Sequence, residues 1–455
     1  MPLQTIDPAS GKKMRAYPQL SPQDIADRVG QTHAAQARWR RSGIEERAEG
    51  MRQLSRELLS NKNDHSRLMA LEMGKPVRDG RQEIEKCAWL CRHFADHGGA
   101  MLESETVATE ASRSFVCFQP LGVLLAVMPW NYPFWQVFRL AVPALMAGNA
   151  VLLKHASNVP GCAQAIAETF EKAGFPQAIL CNLPIASEAV ETVIADPRVA
   201  AVSLTGSTEA GRAVAALAGQ HLKKSVLELG GSDPYIILED ADLDRTVEAC
   251  AASRLLNSGQ SCIAAKRFIV VDAVRRAFED KLVAAMAAKV VGDPLDEQTE
   301  IGPQARNDLR EHLHQQVAAS IRKGARCLVG GTIPEGTGYF YPPTVLTDVR
   351  KGMPAFDEET FGPVAAVVPV PDETAALAAA NDSLYGLGAA VFTRDISRGE
   401  RLAVTELEAG NCFVNAFVKS DPRLPFGGIR NSGYGRELSY FGLREFVNVK
   451  SVWIA

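Results

Sequence analysis

Short β-rich runs alternate with helical segments through the middle of the chain, and this alternation limits the folds that the chain can adopt. Residues 123–127 and 150–153 are apolar runs of strand length, and the second precedes a helical pattern at 159–173. The run 199–204 is likewise followed by a helical pattern that begins near residue 207. Strands that alternate with helices form βαβ units, so the sequence predicts an α/β fold with a mostly parallel sheet.

A second set of α/β elements follows the paired glycines Gly230 and Gly231. Before residue 100, apolar residues recur at spacings of three and four, which predicts helices over 21–100. A chain of 455 residues, 46% of them hydrophobic, is long enough for about three structural units. The strands predicted for the second set are the runs 236–238, 267–271, 365–370 and 389–392.

Charge and cysteine content exclude several classes of function. A formal net charge of −4, with acidic and basic residues interspersed, predicts no nucleic-acid partner and no membrane surface. The nine cysteines are scattered and odd in number, so we expect reduced thiols. Cys87 and Cys91 lack a second cysteine or histidine pair at zinc-site spacing, so we expect no metal site. Without a signal peptide or a membrane-length apolar run, we expect a cytoplasmic protein.

Cys262 is a candidate for covalent chemistry. It follows a polar bend at Gly259 and Gln260 and precedes Ile263, so we expect it where a loop begins a helix. A helix N-terminus lowers the pKa of a thiol from about 8.5 and favours the reactive thiolate. An isolated cysteine is more often a small buried apolar residue, and both interpretations stay open on these residues alone.

Two polar residues lie in apolar or rigid surroundings. Glu228 stands between Leu227 and Leu229, where a carboxylate is costly to bury unless it is paired or protonated. It is therefore either a buried ion-pair partner or a general base with a raised pKa. Asn131 lies between aromatic residues and prolines just after a predicted strand. Its amide either stabilises that turn or donates to an oxyanion.

A glycine-containing turn follows the predicted strand that ends at Leu204. Thr205, Gly206 and Ser207 precede a helical pattern, and a helix N-terminus with small residues can bind phosphate. The chain has no G-x-G-x-x-G fingerprint, and the turn lacks the Lys-Ser or Lys-Thr of a Walker A loop. This turn is a possible phosphate site.

Taken together and in this order, these segments resemble the aldehyde dehydrogenase superfamily over essentially the whole chain. The matching segments are 129–131, Lys154, 205–207, 228–231, 259–262, 359–363 and 425–428. The resemblance implies two parallel-sheet α/β domains plus a β bridging and oligomerisation element. It implies a homodimer or homotetramer in which the C-terminal strand pairs with a partner subunit. The implied ranges are 1–102 and 121–229 for nicotinamide dinucleotide binding, 230–424 for catalysis, and 103–120 with 425–455 for bridging.

The resemblance also implies a mechanism. Cys262 would attack an aldehyde to form a thiohemiacetal, whose oxyanion the Asn131 amide and the Cys262 backbone N–H would hold. Hydride transfer to NAD or NADP would give a thioester, which Glu228 would hydrolyse by activating water. CoA-acylating relatives lack this glutamate, so its presence favours release of a carboxylic acid. Glu437 matches a second recurring glutamate to which we assign no role.

For the cofactor, the resemblance implies that Lys154 contacts the adenosine ribose and that Glu359 binds the nicotinamide ribose. The usual family segment is Lys-Pro-x-Glu, and here Ser157 stands at the Glu position. Serine leaves room for a 2′-phosphate, so we expect both NAD and NADP to be used. His155 replaces the proline and would either stack or bond locally. The residues implied for the cofactor site are Trp130, Lys154, Ser157, Thr205, Gly206, Ser207, Gly211, Leu229, Glu359 and Phe361.

Arg139 lies eight residues beyond Asn131 and is the candidate for recognising the substrate. Succinate-semialdehyde dehydrogenases carry an arginine at this position, which can bind the distal carboxylate of the substrate. Lactaldehyde-type relatives also carry an arginine there. An arginine exposed on the surface, with no role in substrate binding, is the alternative interpretation. At the position where that subgroup has a second arginine, this chain has Leu256, and Arg254 lies two residues before it. Trp135 and Phe426 complete the implied substrate site. We expect succinate semialdehyde as substrate, with lactaldehyde or broad aliphatic aldehyde oxidation, or a non-catalytic binding homologue, as alternatives.

Overall fold

The computed structural model describes residues 2–455. Its strands are β1 (Leu3–Ile6), β2 (Lys13–Tyr17), β3 (Glu105–Thr106), β4 (Arg113–Pro120), β5 (Val123–Met128), β6 (Ala150–His155), β7 (Leu180–Asn182), β8 (Val199–Thr205), β9 (Lys224–Glu228), β10 (Pro234–Ile237), β11 (Arg267–Val271), β12 (Arg326–Val329), β13 (Thr344–Thr347), β14 (Val364–Val370), β15 (Gly388–Phe392), β16 (Asn411–Val414), β17 (Gly433–Tyr434) and β18 (Val447–Ile454). Its α-helices are α1 (Pro22–Trp39), α2 (Ile44–Ser60), α3 (Lys62–Met73), α4 (Val77–Met101), α5 (Trp135–Met146), α6 (Pro160–Lys172), α7 (Val190–Ala195), α8 (Thr208–Gln220), α9 (Leu243–Leu255), α10 (Asp272–Ala287), α11 (Asn307–Arg322), α12 (Pro354–Asp357), α13 (Glu373–Asn381), α14 (Ile396–Arg401) and α15 (Ser439–Glu445).

The first large sheet has the strand order β17-β9-β8-β5-β6-β7. β5 lies between β6 and β8 and is parallel to both, and β8 is parallel to β9. The predicted strands and the parallel sheet are therefore confirmed for this part of the chain. β17 joins the same sheet antiparallel to β9, with Gly433 opposite Glu228. This pairing holds the end of β9 beside the C-terminal segment.

The second sheet has the order β12-β13-β14-β11-β10-β15-β16. Its strands are parallel except for β12, which pairs antiparallel with β13. The runs predicted as strands correspond to β10, β11, β14 and β15 and are confirmed. Because parallel strands are covered on both faces, they are almost continuously apolar, and all five residues of β11 are buried.

A third sheet joins the C-terminal strand to the middle of the chain. β18 pairs antiparallel with β4 along its whole length, from Val447 opposite Pro120 to Ile454 opposite Arg113. β3 pairs with the other side of β4, so β18 forms one edge of this sheet. The family resemblance implies that this strand pairs with a partner subunit; within residues 2–455 it pairs with β4 on one side and with no strand on the other. The division of the chain into domains stays a prediction.

The helices predicted before residue 100 are α1 to α4, and the long helix α4 supports α5. Glu83 of α4 caps α5, because its Oε1 accepts hydrogen bonds of 2.9 Å from the backbone N–H groups of Phe134 and Trp135. Every residue of α5 is buried. In residues 2–455, no helix is long and apolar enough to cross a membrane.

Candidate active site

Cys262 lies in a turn between α9 and β11, so the prediction that it begins a helix is wrong. The backbone is kinked just before it, where Asn257 (φ 54°), Ser258 (φ 56°) and Gly259 (φ 76°) all adopt left-handed conformations. Non-glycine residues in this region are strained and persist only where surrounding contacts hold them. The kink before the cysteine is therefore a fixed feature of the site.

Side-chain hydrogen bonds join this loop to the turn that follows β5. Asn257 donates from Nδ2 to the Asn131 carbonyl oxygen (2.7 Å) and to the Gln260 carbonyl oxygen (3.1 Å). The Asn131 amide also donates to the Gln260 carbonyl, at 3.1 Å. An amide nitrogen carries two N–H groups, so Asn131 keeps a second donor. The two loops thus place the Asn131 amide against the segment that carries Cys262.

Lys266 is a residue of this site that the sequence reasoning missed. Its side chain is fully buried, and Nζ donates to the carbonyl oxygens of Cys262 (2.6 Å), Ser261 (3.1 Å) and Ala264 (3.3 Å). Nζ also lies 3.5 Å from Oε1 of Glu359. The available signal was a lysine at the border of the apolar run of β11, since a buried ammonium needs several acceptors. Lys266 therefore ties the loop of Cys262 to Glu359.

The environment of the Cys262 thiol differs from the expectation. Burial raises its pKa to about 12, while the nearby cations of Arg139 and Lys266 act in the opposite direction. The expected lowering by a helix N-terminus is wrong because no helix begins here. A thiol with a raised pKa is protonated at neutral pH, so its reaction as a nucleophile requires a proton acceptor.

Glu228 lies at the end of β9 in a buried cluster with Arg139 and Glu437, each only 2% exposed. Nε of Arg139 contacts a carboxylate oxygen of Glu437, and its Nη2 lies 4.0 Å from Oε2 of Glu228. The guanidinium also lies over the ring of Phe426, 4.7 Å from the centroid. Arg139 is thus a buried, ion-paired residue and not a surface arginine.

Burial raises the pKa of Glu228 well above its ordinary value, Arg139 opposes this rise, and Glu437 adds to it. Within residues 2–455, neither carboxylate oxygen of Glu228 accepts a hydrogen bond. A carboxylate whose pKa is raised is a stronger base than an ordinary glutamate. Both sequence interpretations of Glu228, ion-pair partner and base, are compatible with this geometry.

A cleft of about 560 Å³, the outer cleft, opens between the two large sheets. Ser207 caps α8 there by accepting a hydrogen bond from the Ala210 N–H (3.2 Å), so the positive end of the helix faces the cleft. The predicted residues that line the cleft are Trp130, Asn131, Thr205, Gly206, Ser207, Leu229, Glu359, Phe361 and Cys262. Lining residues that the sequence reasoning missed include Arg212, His312, Gln316, Glu358 and Tyr385.

The outer cleft fits a nicotinamide dinucleotide. Glu359 accepts a hydrogen bond from the Gly231 N–H (3.0 Å), and a Cβ on Gly230 would lie 2.3 Å from Oε2 of Glu359, so only glycine permits this approach. The Trp130 and Phe361 rings meet edge to face at 5.7 Å. A helix N-terminus for phosphate, a carboxylate for ribose hydroxyls and an aromatic wall match the groups of a dinucleotide.

Three predicted cofactor residues lie outside the lining of the outer cleft in the part of the chain that the structure describes. Gly211 instead lets α8 approach β9, because a Cβ there would lie 2.6 Å from the Leu229 side chain. Lys154 lies near the end of β6, where its side chain is buried, and this burial lowers its pKa. Ser157, three residues further on, is exposed.

His155 bonds locally, one of its two expected alternatives. Its Nε2–H donates to the Pro133 carbonyl oxygen and its Nδ1 accepts from the Ala156 N–H, both at 2.9 Å. Burial lowers the pKa of this imidazole to about 4, so the ring is neutral at pH 7. His155 thus links the end of β6 to the turn that carries Asn131.

A second cavity of about 150 Å³, the inner cavity, lies on the other side of Cys262. Three of its lining residues, Trp135, Arg139 and Phe426, were predicted for the substrate site. Leu256 also lines it, whereas Arg254 is buried elsewhere and donates to the Gly259 carbonyl oxygen (2.7 Å), so Arg254 does not replace the missing arginine. The remaining lining residues are Lys75, Asp79, Gln82, Glu83, Lys86, Tyr132, Gln136, Asn257, Ser261, Ile263, Lys419 and Ser420.

The outer cleft and the inner cavity meet at Cys262, which lines both. An α/β fold in which a dinucleotide-sized cleft and a smaller cavity share one thiol is the architecture of a nicotinamide-dependent dehydrogenase. The model of the aldehyde dehydrogenase family matches residues 1–452. The chain therefore belongs to the aldehyde dehydrogenase family.

Similar proteins include a succinate semialdehyde dehydrogenase [NAD(P)+] of Escherichia coli K12, 47% identical over 449 residues, which are 99% of this chain and 97% of that one. A probable NADP-dependent succinate-semialdehyde dehydrogenase of Synechocystis is 46% identical over the full length of both chains. Among solved structures, the succinic semialdehyde dehydrogenase of Streptococcus pyogenes in complex with NADP+ has a TM-score of 0.97 at 36% identity, with 99% of each chain covered.

Proposed function

We propose that the protein oxidises succinate semialdehyde to succinate with NAD or NADP as the hydride acceptor. The observation that carries this proposal is the position of Cys262 between the outer cleft and an inner cavity whose wall is rich in cations. Lys75, Lys86, Arg139 and Lys419 line the cavity against the two carboxylates of Asp79 and Glu83. A positive cavity favours an aldehyde that carries a carboxylate, and the named E. coli, Synechocystis and S. pyogenes relatives support this substrate.

In the proposed reaction, Sγ of Cys262 adds to the aldehyde carbon after its proton passes to a base. The carbonyl oxygen becomes an oxyanion, which the free N–H of the Asn131 amide and the Cys262 backbone N–H stabilise. The oxyanion then re-forms its C=O bond as the hydride leaves the same carbon, and a nicotinamide ring held in the outer cleft would accept that hydride. The acyl group stays on the Cys262 sulfur as a thioester. Glu228 then takes a proton from a water molecule that attacks the thioester, and the Cys262 sulfur leaves as the acid forms.

The chain's own residues would hold the dinucleotide in the outer cleft. Gly206 and Ser207, at the N-terminus of α8, would bind the pyrophosphate, with Gly211 and Leu229 fixing this helix against β9. Thr205 has a buried hydroxyl without a hydrogen-bond partner in residues 2–455. The remaining proposed contacts are Glu359 to the nicotinamide ribose, Trp130 and Phe361 beside the ring, and Lys154 and Ser157 to the adenosine ribose.

The substrate preference is tested by steady-state kinetics on succinate semialdehyde, butanal and lactaldehyde with each cofactor. Butanal has the same number of carbons but no carboxylate. We expect kcat/KM for succinate semialdehyde to exceed that for butanal on the order of 10²-fold, because the cavity cations would lose their partner with a neutral aldehyde. A preference for butanal or lactaldehyde would contradict the proposal and favour a broad or lactaldehyde-type enzyme.

The cofactor proposal predicts the effect of Ser157→Glu. Because Ser157 is exposed, the substitution should leave the fold intact, while its new carboxylate would repel a 2′-phosphate. We expect kcat/KM for NADP to fall about 10-fold or more, with NAD affected less. Ser157→Ala is the matched control, since it removes the hydroxyl without adding charge. Equal losses with both cofactors would show that Ser157 does not face the 2′ position.

We also propose a homodimer or homotetramer in the cytoplasm. β18 is an edge strand whose Val449, Trp453 and Ile454 side chains are 62%, 53% and 44% exposed. An exposed apolar edge strand is a surface on which a second chain can pair, as expected from the family resemblance. The free thiols of all nine cysteines fit a reducing compartment.

A further inference from the structure

Two of the cations that line the inner cavity are already paired with protein carboxylates. Lys75 contacts Glu83, the residue that caps α5, and its Nζ also lies over the Tyr132 ring, 3.8 Å from the centroid. Arg139 contacts Glu437 and, as described above, lies within 4.0 Å of a second carboxylate. Much of the charge of these two side chains is therefore neutralised before any substrate enters.

Lys86 differs from both. It lies on the face of α4 that also carries Asp79 and Glu83, since residues separated by three, four or seven positions share one face of a helix. Its Nζ donates to Oγ of Ser420 at 2.8 Å and lies over the Trp135 ring, 4.3 Å from the centroid. No residue in the range 2–455 forms an ion pair with it. An ammonium has three donors, so two remain for a ligand.

Lys86 carries a positive charge that no ion pair within residues 2–455 neutralises. Burial lowers its pKa to about 8, and the Arg139 cation acts in the same direction, while Asp421 and Glu83 oppose both. Most of the Lys86 side chains are therefore protonated at pH 7. A partly buried ammonium that lacks a counter-ion is costly, and an anion that enters the cavity would remove that cost.

We propose that Lys86 binds the distal carboxylate of the substrate and so favours a charged aldehyde over a neutral one. This assignment rests on the proposed function. It adds Lys86, on α4, to Arg139, the cation on α5 that the family resemblance indicates. Cys262 and Lys86 line the same cavity, so an aldehyde bound to the thiol can present its other end to the ammonium. The Trp135 ring, over which the Lys86 ammonium lies, also forms part of the cavity wall.

The test is Lys86→Met, which keeps a side chain of similar length over Trp135 but removes the charge. For each variant we would measure kcat and KM with succinate semialdehyde and with butanal. We expect the ratio of the two kcat/KM values, charged over neutral aldehyde, to fall about 10- to 100-fold through KM of succinate semialdehyde. Lys86→Arg should recover much of this ratio, because it restores the positive charge.

Lys62→Met is the matched control, because Lys62 pairs with Glu85, the residue before Lys86, and lies outside the inner cavity. It should leave the ratio within about 2-fold of the wild type. An unchanged ratio in Lys86→Met, or equal losses for both aldehydes, would overturn the assignment while leaving the proposed function intact. Failure of the wild type to oxidise succinate semialdehyde would overturn both.

Discussion

Cys262→Ala is expected to abolish aldehyde oxidation, with a loss in kcat on the order of 10⁴-fold or more for every aldehyde and either cofactor. The reason is that Cys262 is the thiol shared by the outer cleft and the inner cavity. Alanine removes the atom that would form the thiohemiacetal and leaves the surrounding backbone in place. The effect is measured as the rate at which the reduced cofactor forms, monitored by its absorbance.

Cys327→Ala is the matched control, because Cys327 is an exposed thiol in β12 outside both cavities. It should retain wild-type activity. Binding of the reduced cofactor to Cys262→Ala, measured by fluorescence, separates lost chemistry from lost folding. If Cys262→Ala oxidised aldehydes at a rate near that of the wild type, the covalent mechanism would be wrong, and a direct hydride transfer from a hydrated aldehyde would have to replace it.

Glu228→Gln is expected to separate the two halves of the reaction. Glutamine has nearly the same shape but cannot accept a proton from water, so the thioester should form and then persist. We expect a burst of reduced cofactor close to one equivalent per site, followed by turnover slower by about 10²- to 10⁴-fold. Stopped-flow absorbance with an excess of aldehyde measures both phases.

The pH profile provides a second readout for Glu228. Burial and Glu437 raise its pKa, so the carboxylate form that acts as a base should be lost at a higher pH than for an ordinary glutamate. We therefore expect wild-type kcat to decrease as the pH falls through this raised pKa, and Glu228→Gln to lose that dependence. Glu437→Gln changes the same cluster without removing the base, so it should cause a smaller loss and no burst. If Glu228→Gln showed no burst, the base that activates water for thioester hydrolysis would be a residue other than Glu228.

The sequence predicted the fold because alternating apolar runs and helical patterns specify strands such as β5, β6 and β8 locally. Asn131, Glu228 and Cys262 were grouped only through the family resemblance of their motifs, and their catalytic roles stay predictions. The segments β12 and β16 were missed because they are only partly buried and therefore lack the continuous apolar run that identified β11 and β15.

The electrostatics of the site could not be predicted in the same way. The pKa of Cys262 depends on its burial and on the cations of Arg139 and Lys266, which only the tertiary fold brings near the thiol. Likewise, the pairing of Arg139 with Glu437 joins positions almost 300 residues apart. Burial and long-range ion pairs are tertiary properties, so a local motif can name a titratable residue without giving its charge state.

The most direct test of the mechanism is the intact mass of Glu228→Gln after reaction with succinate semialdehyde and NADP, followed by peptide mapping. We expect each chain to gain the mass of one succinyl group, attached to the peptide that contains Cys262, with one equivalent of NADPH formed. Release of NADPH with no acyl group on Cys262, or with the acyl group on another residue, would contradict this mechanism.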